Sequence, residues 1–234
     1  MTDPTPTWHV IAMHGWGGDS LAWQPWQASA QERGWDWQSG ERGYGTLAPR
    51  SPAWPPGPGR RAVIVHSLGL HLLPAAVLER ADAVVLLASF GRFVPKGAAG
   101  RPWRAALQGM AARLEAGDGE AMLADFLREA ATPDPAGLLP PGPGQGPLPA
   151  SAVERLRQDL LRLEGTSGLP PGFPAGARVL IVEAGADRIV APLARGQLVQ
   201  ALPAAEHWRI EAAGHSLLSA NLVEPVLDWL EAER

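Results

Sequence analysis

A serine hydroxyl becomes a competent nucleophile only when an imidazole takes its proton and a carboxylate orients that imidazole. This 234-residue chain offers a candidate for each part. Ser67 lies in Val63-Ile64-Val65-His66-Ser67-Leu68-Gly69, where a β-branched run meets a tight turn and then an apolar stretch. Strand, sharp turn with serine at its tip, then helix is the layout of a nucleophile elbow, which lifts the hydroxyl above a sheet. The elbow departs from its usual pattern at Val65, where a glycine is normal. Asp187 follows a second apolar run, Arg178-Val179-Leu180-Ile181-Val182, in a short loop. His215 follows a last one, in Ala212-Ala213-Gly214-His215-Ser216. Together the three would support attack on an acyl carbonyl, with Glu183 the alternative to Asp187 as the acid.

Such attack also needs two N–H donors for the oxyanion that develops. The backbone of Leu68, at the start of the helix after the elbow, would supply one. Trp16, in His14-Gly15-Trp16-Gly17-Gly18, would supply the other, with its indole walling the acyl pocket. Glycines on either side let that backbone come close to a substrate. The remaining histidines carry blander expectations: His14 braces its loop, His66 lines the edge of the site, and His71, His9 and His207 are structural.

The elements that must position these groups alternate. Trp8 to Met13 reads as a strand, Asp19 or Ser20 caps a helix to about Arg33, and Trp35 to Gln38 reads as a short strand. The prolines between Pro49 and Gly59 exclude helix and central strand there. An elbow strand at about 61–65, a helix to about 80 and a strand at 83–88 follow. Then the pattern changes: helical segments at roughly 102–116, 119–131 and 150–164 succeed one another with no apolar strand between them. The sheet resumes at Arg178, and helices at about 192–201 and 217–233 flank a strand at 207–210. Alternation predicts a mostly parallel sheet of about six strands covered on both faces, with residues 1–89 and 178–234 as the core and 90–177 as an inserted helical cap, or lid.

The motifs His14-Gly15-Trp16-Gly17, Glu41-Arg42-Gly43-Tyr44-Gly45, His66-Ser67-Leu68-Gly69, Gly185 to Asp187 and Gly214-His215, in this order, resemble those of the α/β-hydrolase superfamily. Within it, His-Gly-Trp-Gly with a Ser-Leu-Gly elbow is similar to the pimeloyl-[acyl-carrier protein] methyl ester esterases of biotin synthesis. The resemblance covers about 8–89 and 178–232. It implies Ser67 as nucleophile, His215 as general base then acid, Asp187 as its orienter, and Trp16 and Leu68 as the oxyanion hole. It also implies a carboxyl-ester hydrolase that needs no cofactor. A broad carboxylesterase or thioesterase, a C–C hydrolase with the same triad, and a non-catalytic binding module on this fold are the alternatives. The chain starts almost at its first strand, so the antiparallel hairpin common at the front of this superfamily is expected to be missing.

Composition narrows the partners. A net charge of −4 gives no general attraction to nucleic acid or anionic membranes. There is no apolar run long enough to span a bilayer and no signal-peptide pattern at the N-terminus, so a cytoplasmic protein is expected; a monomer is the separate expectation for its assembly. With no cysteine, thiolate-held metals and a cysteine nucleophile are excluded, and no His and carboxylate spacing suggests a metal. The 24 Pro, 27 Gly and single lysine, Lys96, speak of base composition rather than function. Of the 10 Trp, seven crowd the first quarter, where Trp23, Trp26, Trp35, Trp37 and Trp54 fill core or, as Trp16 does, wall a pocket. Arg92, Lys96, Arg101 and Arg104 occur with no acidic residue between Asp82 and Glu115. They suit an acidic acyl-carrier protein bringing an acyl ester to the cap, or equally a solvated face balanced by Glu115, Asp118, Glu120 and Asp125.

Overall fold

The computed structural model describes residues 8–140, 142–143, 146–217 and 221–232. Its sheet has six strands in the order β2-β1-β3-β4-β5-β6, every neighbouring pair parallel. The strands are β1 (Trp8–Met13), β2 (Asp36–Ser39), β3 (Arg60–His66), β4 (Ala83–Leu87), β5 (Arg178–Ala184) and β6 (Glu206–Ile210). β1 and β4 are buried throughout, as apolar runs covered on both faces must be. The polar edge strands β2 and β6 alternate between partial burial and exposure.

The helices are α1 (Gln24–Glu32), α2 (Gly69–Leu72), α3 (Ala75–Leu78), α4 (Arg101–Glu115), α5 (Gly119–Ala131), α6 (Ala150–Gly165), α7 (Pro192–Ala201) and α8 (Val223–Glu231). Alternate residues of the strands feed two apolar layers. Val10, Ala12, Ile64 and Val85 meet Trp26 of α1 and Leu227 of α8 on one face. Ile11, Val63, Val84 and Leu86 meet Leu70, Leu78 and Leu198 on the other. A third cluster, with Trp16, Tyr44, Leu68, Phe90, Leu123 and Leu156, seals the sheet's C-terminal end against α4, α5 and α6. Those three α-helices, with short 3-10 turns at Gly97–Gly100 and Ala136–Leu138, make up the insertion between β4 and β5 among the described residues.

Three expected helices change. The segment after the elbow is two short helices, because Leu73 is extended (φ −75°, ψ 143°) ahead of Pro74, as a residue before proline prefers to be. The first helix opens as a 3-10 turn over Ser20–Trp23, with Asp19 capping Leu21, before α1 begins with Pro25 in its first turn. The last helix starts at Val223 rather than Leu217, whose φ is 51°; 218–220 and 233 of the expected span lie outside the described residues. No helix among the described residues is long and apolar enough to cross a membrane.

Candidate active site

The chain leaves β1 for β2 on one side and returns to β3 on the other, so the strand order reverses between β1 and β3. Such a switch point opens a crevice at the strand C-termini. Register aligns those ends: Met13 lies beside Val65, His66 beside Leu87, and Ala184 beside Ile210. The loops carrying Trp16, Ser67, Asp187 and His215 therefore emerge together.

Ser67 has φ 53°, left-handed backbone for a residue with a Cβ, which costs of order 1–3 kcal/mol. Neighbours hold it there. Its N–H donates to the Leu87 carbonyl at 2.9 Å, and the Ser89 hydroxyl donates to its carbonyl at 3.0 Å. The elbow also packs hard against the β1 exit loop. A Cβ on Gly69 would sit 2.3 Å from the Met13 carbonyl oxygen, and one on Gly15 would sit 2.8 Å from Ser67 Cβ. Val65, where the usual pattern has glycine, is fully buried with Met13, Leu70 and Leu86, so the close approaches fall on Gly15 and Gly69 instead.

Three side chains form one hydrogen-bonded row. Ser67 Oγ is 3.0 Å from His215 Nε2, and His215 Nδ1 is 2.9 Å from Asp187 Oδ2. A carboxylate only accepts, so Nδ1 carries the proton and Nε2 is the acceptor facing the hydroxyl. All three are buried. Asp187 Oδ1 accepts from the Ile189 and Val190 N–H groups at 2.7 and 2.9 Å. Burial works against its charge, but His215 and these two donors outweigh it, leaving the carboxyl below its ordinary pKa. Glu183, the alternative acid, turns to Arg195, Arg209 and His207 instead. Neither the Trp16 nor the Leu68 backbone N–H meets a protein acceptor among the described residues.

The remaining histidines brace. His14 Nδ1–H donates to the Gly15 carbonyl at 2.9 Å while Nε2 accepts from the Arg42 N–H at 3.1 Å. His71 donates to the Phe90 carbonyl, and His9 to that of Pro58. His66 donates to the carbonyl of His215 at 2.9 Å, and its ring lies 4.9 Å from that of His215. Burial, and then the nearby His215, lower the His66 pKa to about 4.

A cavity of about 610 Å³ opens beside the row. His215, His66 and Trp16 line it, with Trp23, Trp26, Phe126 and Leu139 supplying much of the rest; Ser67 is not on its wall and is reached through its 3.0 Å contact with His215 Nε2. Trp8 and Trp35 are plain core, whereas Trp23 and Trp26 serve core and cavity at once. Arg92, Lys96, Arg101 and Arg104 do not line this cavity. Arg92 donates to the Ser167 carbonyl, Arg104 donates to that of Gly97, and Lys96 and Arg101 are exposed. The described residues contain no group of three His, Cys, Asp or Glu able to hold a metal ion.

Sequence reasoning missed one feature next to the site. Asp159 of α6 is wholly buried. It accepts from Arg42 Nε at 2.6 Å and Nη2 at 3.1 Å, from Tyr44 OH at 2.8 Å and from Arg162 Nε at 3.1 Å. Trp16 Nε1 donates to the Leu156 carbonyl of the same helix at 3.0 Å. The signal was there: a lone carboxylate inside the buried stripe Leu156, Leu160, Leu163 needs a partner.

No family model and no curated protein matches the chain. Solved structures do. The enol-lactonase from Burkholderia xenovorans aligns over 99% of this chain and 94% of its own with TM-score 0.69 and 18% identity. An esterase from Exiguobacterium antarcticum aligns over 98% and 94%, with TM-score 0.71 and 12% identity. A thermophilic esterase from Thermogutta terrifontis aligns over 97% and 90%, with TM-score 0.57 and 14% identity. At such identities the likeness is one of architecture. The chain has the α/β-hydrolase fold.

Proposed function

We propose that this protein is a serine carboxyl-ester hydrolase. The observation that carries the reading is the row Asp187–His215–Ser67, with the serine held at φ 53° on the elbow. In this reading Ser67 Oγ attacks the ester carbonyl as His215 Nε2 takes its proton. The oxyanion is received by the N–H groups of Trp16 and Leu68. The tetrahedral intermediate collapses, and the alcohol leaves with the proton from His215. A water then gives its proton to His215 and attacks the acyl-serine; the acid departs, and the proton returns to Ser67. Asp187 orients the imidazole throughout and stabilises its charged form. The helices α4, α5 and α6 act as the cap.

The substrate proposed is a carrier-bound pimeloyl methyl ester, on the strength of the His-Gly-Trp-Gly and Ser-Leu-Gly motifs. A broader carboxylesterase is the second reading, favoured by a cavity larger than a seven-carbon chain fills and by the position of Arg92, Lys96, Arg101 and Arg104 away from it. Two experiments separate the claims. Ser67→Ala is expected to lose at least ~10³-fold in kcat on a short p-nitrophenyl ester; full activity in that variant rejects the nucleophile. Expression in a biotin-requiring strain lacking its own esterase is expected to restore growth, and failure with soluble protein present favours the broader enzyme.

A further inference from the structure

Asp19 is the one carboxylate among the described residues that line the cavity. It is buried, at 7% exposure. Oδ1 accepts from the Leu21 N–H at 2.9 Å, and the Ala22 N–H also favours the carboxylate, which explains its place as a cap. No basic side chain among the described residues forms an ion pair with it. Arg128, the one Arg or Lys on the cavity wall, is held by Asp125 at 2.8 Å. Burial raises the carboxyl's pKa, and the buried Glu41 nearby raises it further, while Leu21 N–H and His14 oppose them. The rest of the wall is mainly aromatic and aliphatic, with Trp16, Trp23, Trp26 and Phe126.

A ligand entering such a cavity leaves its water behind. A second carboxylate would then lose hydration and meet a like charge in a poorly screened space. A hydroxyl or amide N–H would gain a charge-assisted hydrogen bond instead. We propose that Asp19 sets a charge preference for this cavity: it accepts esters whose remote end carries a hydrogen-bond donor, an amide N–H or a hydroxyl, and rejects those ending in a free carboxylate. This rests on the ester-hydrolase reading and names the chemistry of the part of the substrate that does not react.

The test compares the monomethyl ester of heptanedioic acid with its ethanolamide, which differs only at the far end. In the wild type, kcat/KM is expected to favour the amide by at least about tenfold; in Asp19→Asn, the ratio is expected to fall below about threefold because the acid is hydrolysed better than by the wild type. Asparagine caps a helix start as well as aspartate does, so the fold at Ser20–Trp23 is retained; Asp19→Ser serves the same purpose should the first variant fold poorly. Equal hydrolysis of both esters by the wild type, or an unchanged ratio in the variant, overturns the proposal. If neither ester is hydrolysed and a fluorophosphonate leaves Ser67 unlabelled, the esterase reading falls by itself. The charge preference is then read from quenching of tryptophan fluorescence by the two compounds, and tighter binding of the acid overturns it.

Discussion

His66 bears on both stability and the site. It holds the His215 carbonyl from one side and gives one face to the cavity. Folded, its pKa is about 4; unfolded, an imidazole titrates near ~6.5. Between these values the unfolded chain binds a proton that the folded chain does not, so stability falls as pH drops through that window. The loss is at most about 3 kcal/mol, reached near pH 4. Asp187 adds a separate loss lower down. Its folded carboxyl lies below the ordinary value, so its stabilisation is intact at neutral pH and disappears only below the usual carboxylate range. Urea unfolding followed from pH 7 to pH 4 is expected to show a falling midpoint, flattened in His66→Asn. An equal slope in that variant would place the titrating group elsewhere.

At the scale of elements, the contact between α6 and the core loop 41–45 has the most to lose. Asp159 accepts four charge-assisted or hydroxyl bonds and is wholly buried. Removing its charge leaves Arg42 half-buried without its carboxylate, and breaking such a pair typically costs about 3–5 kcal/mol. Asp159→Asn keeps the shape and some of the hydrogen bonding, so a loss of about 2–3 kcal/mol in urea is expected. The effect reaches further, because the Arg42 N–H bonds to His14 and the Trp16 indole bonds to α6. Affinity for a boronic acid, which mimics the tetrahedral intermediate, is expected to fall with kcat in this variant; unchanged boronate affinity would limit Asp159 to holding the cap. That Asp159 needs a partner is legible in its apolar stripe, but which partner is not, because Arg42 and Asp159 lie in separate segments and local pattern carries no information about pairing. The strands were legible: buried parallel strands need unbroken apolar runs, and Val63-Ile64-Val65 and Val84-Val85-Leu86-Leu87 have no other use. Pro74 was equally visible, but its effect on the helix after the elbow was underweighted beside the apolar run around it.

Across the whole molecule, topology does what no local motif can. Ser67, Asp187 and His215 are spread over 149 positions of the sequence, yet each follows a strand of one parallel sheet, and parallel strands deliver their exits to one end. That is why the site could be read from loop positions alone, while the cavity could not. Its wall comes from α5, the turn at Ser20–Trp23 and the loop after His215, elements whose contacts depend on how the helical insertion settles. For the same reason the sequence left Trp23 and Trp26 between core and pocket wall, and Arg92, Lys96, Arg101 and Arg104 between a carrier entrance and a solvated face; the cavity takes both tryptophans and none of the four cations. The central claim, that one serine is made nucleophilic by this arrangement, is tested most directly by treating the protein with a fluorophosphonate and locating the adduct by mass spectrometry. A single adduct on Ser67, lost in His215→Ala, is the expected result. An unmodified Ser67, or equal labelling without the imidazole, would contradict it.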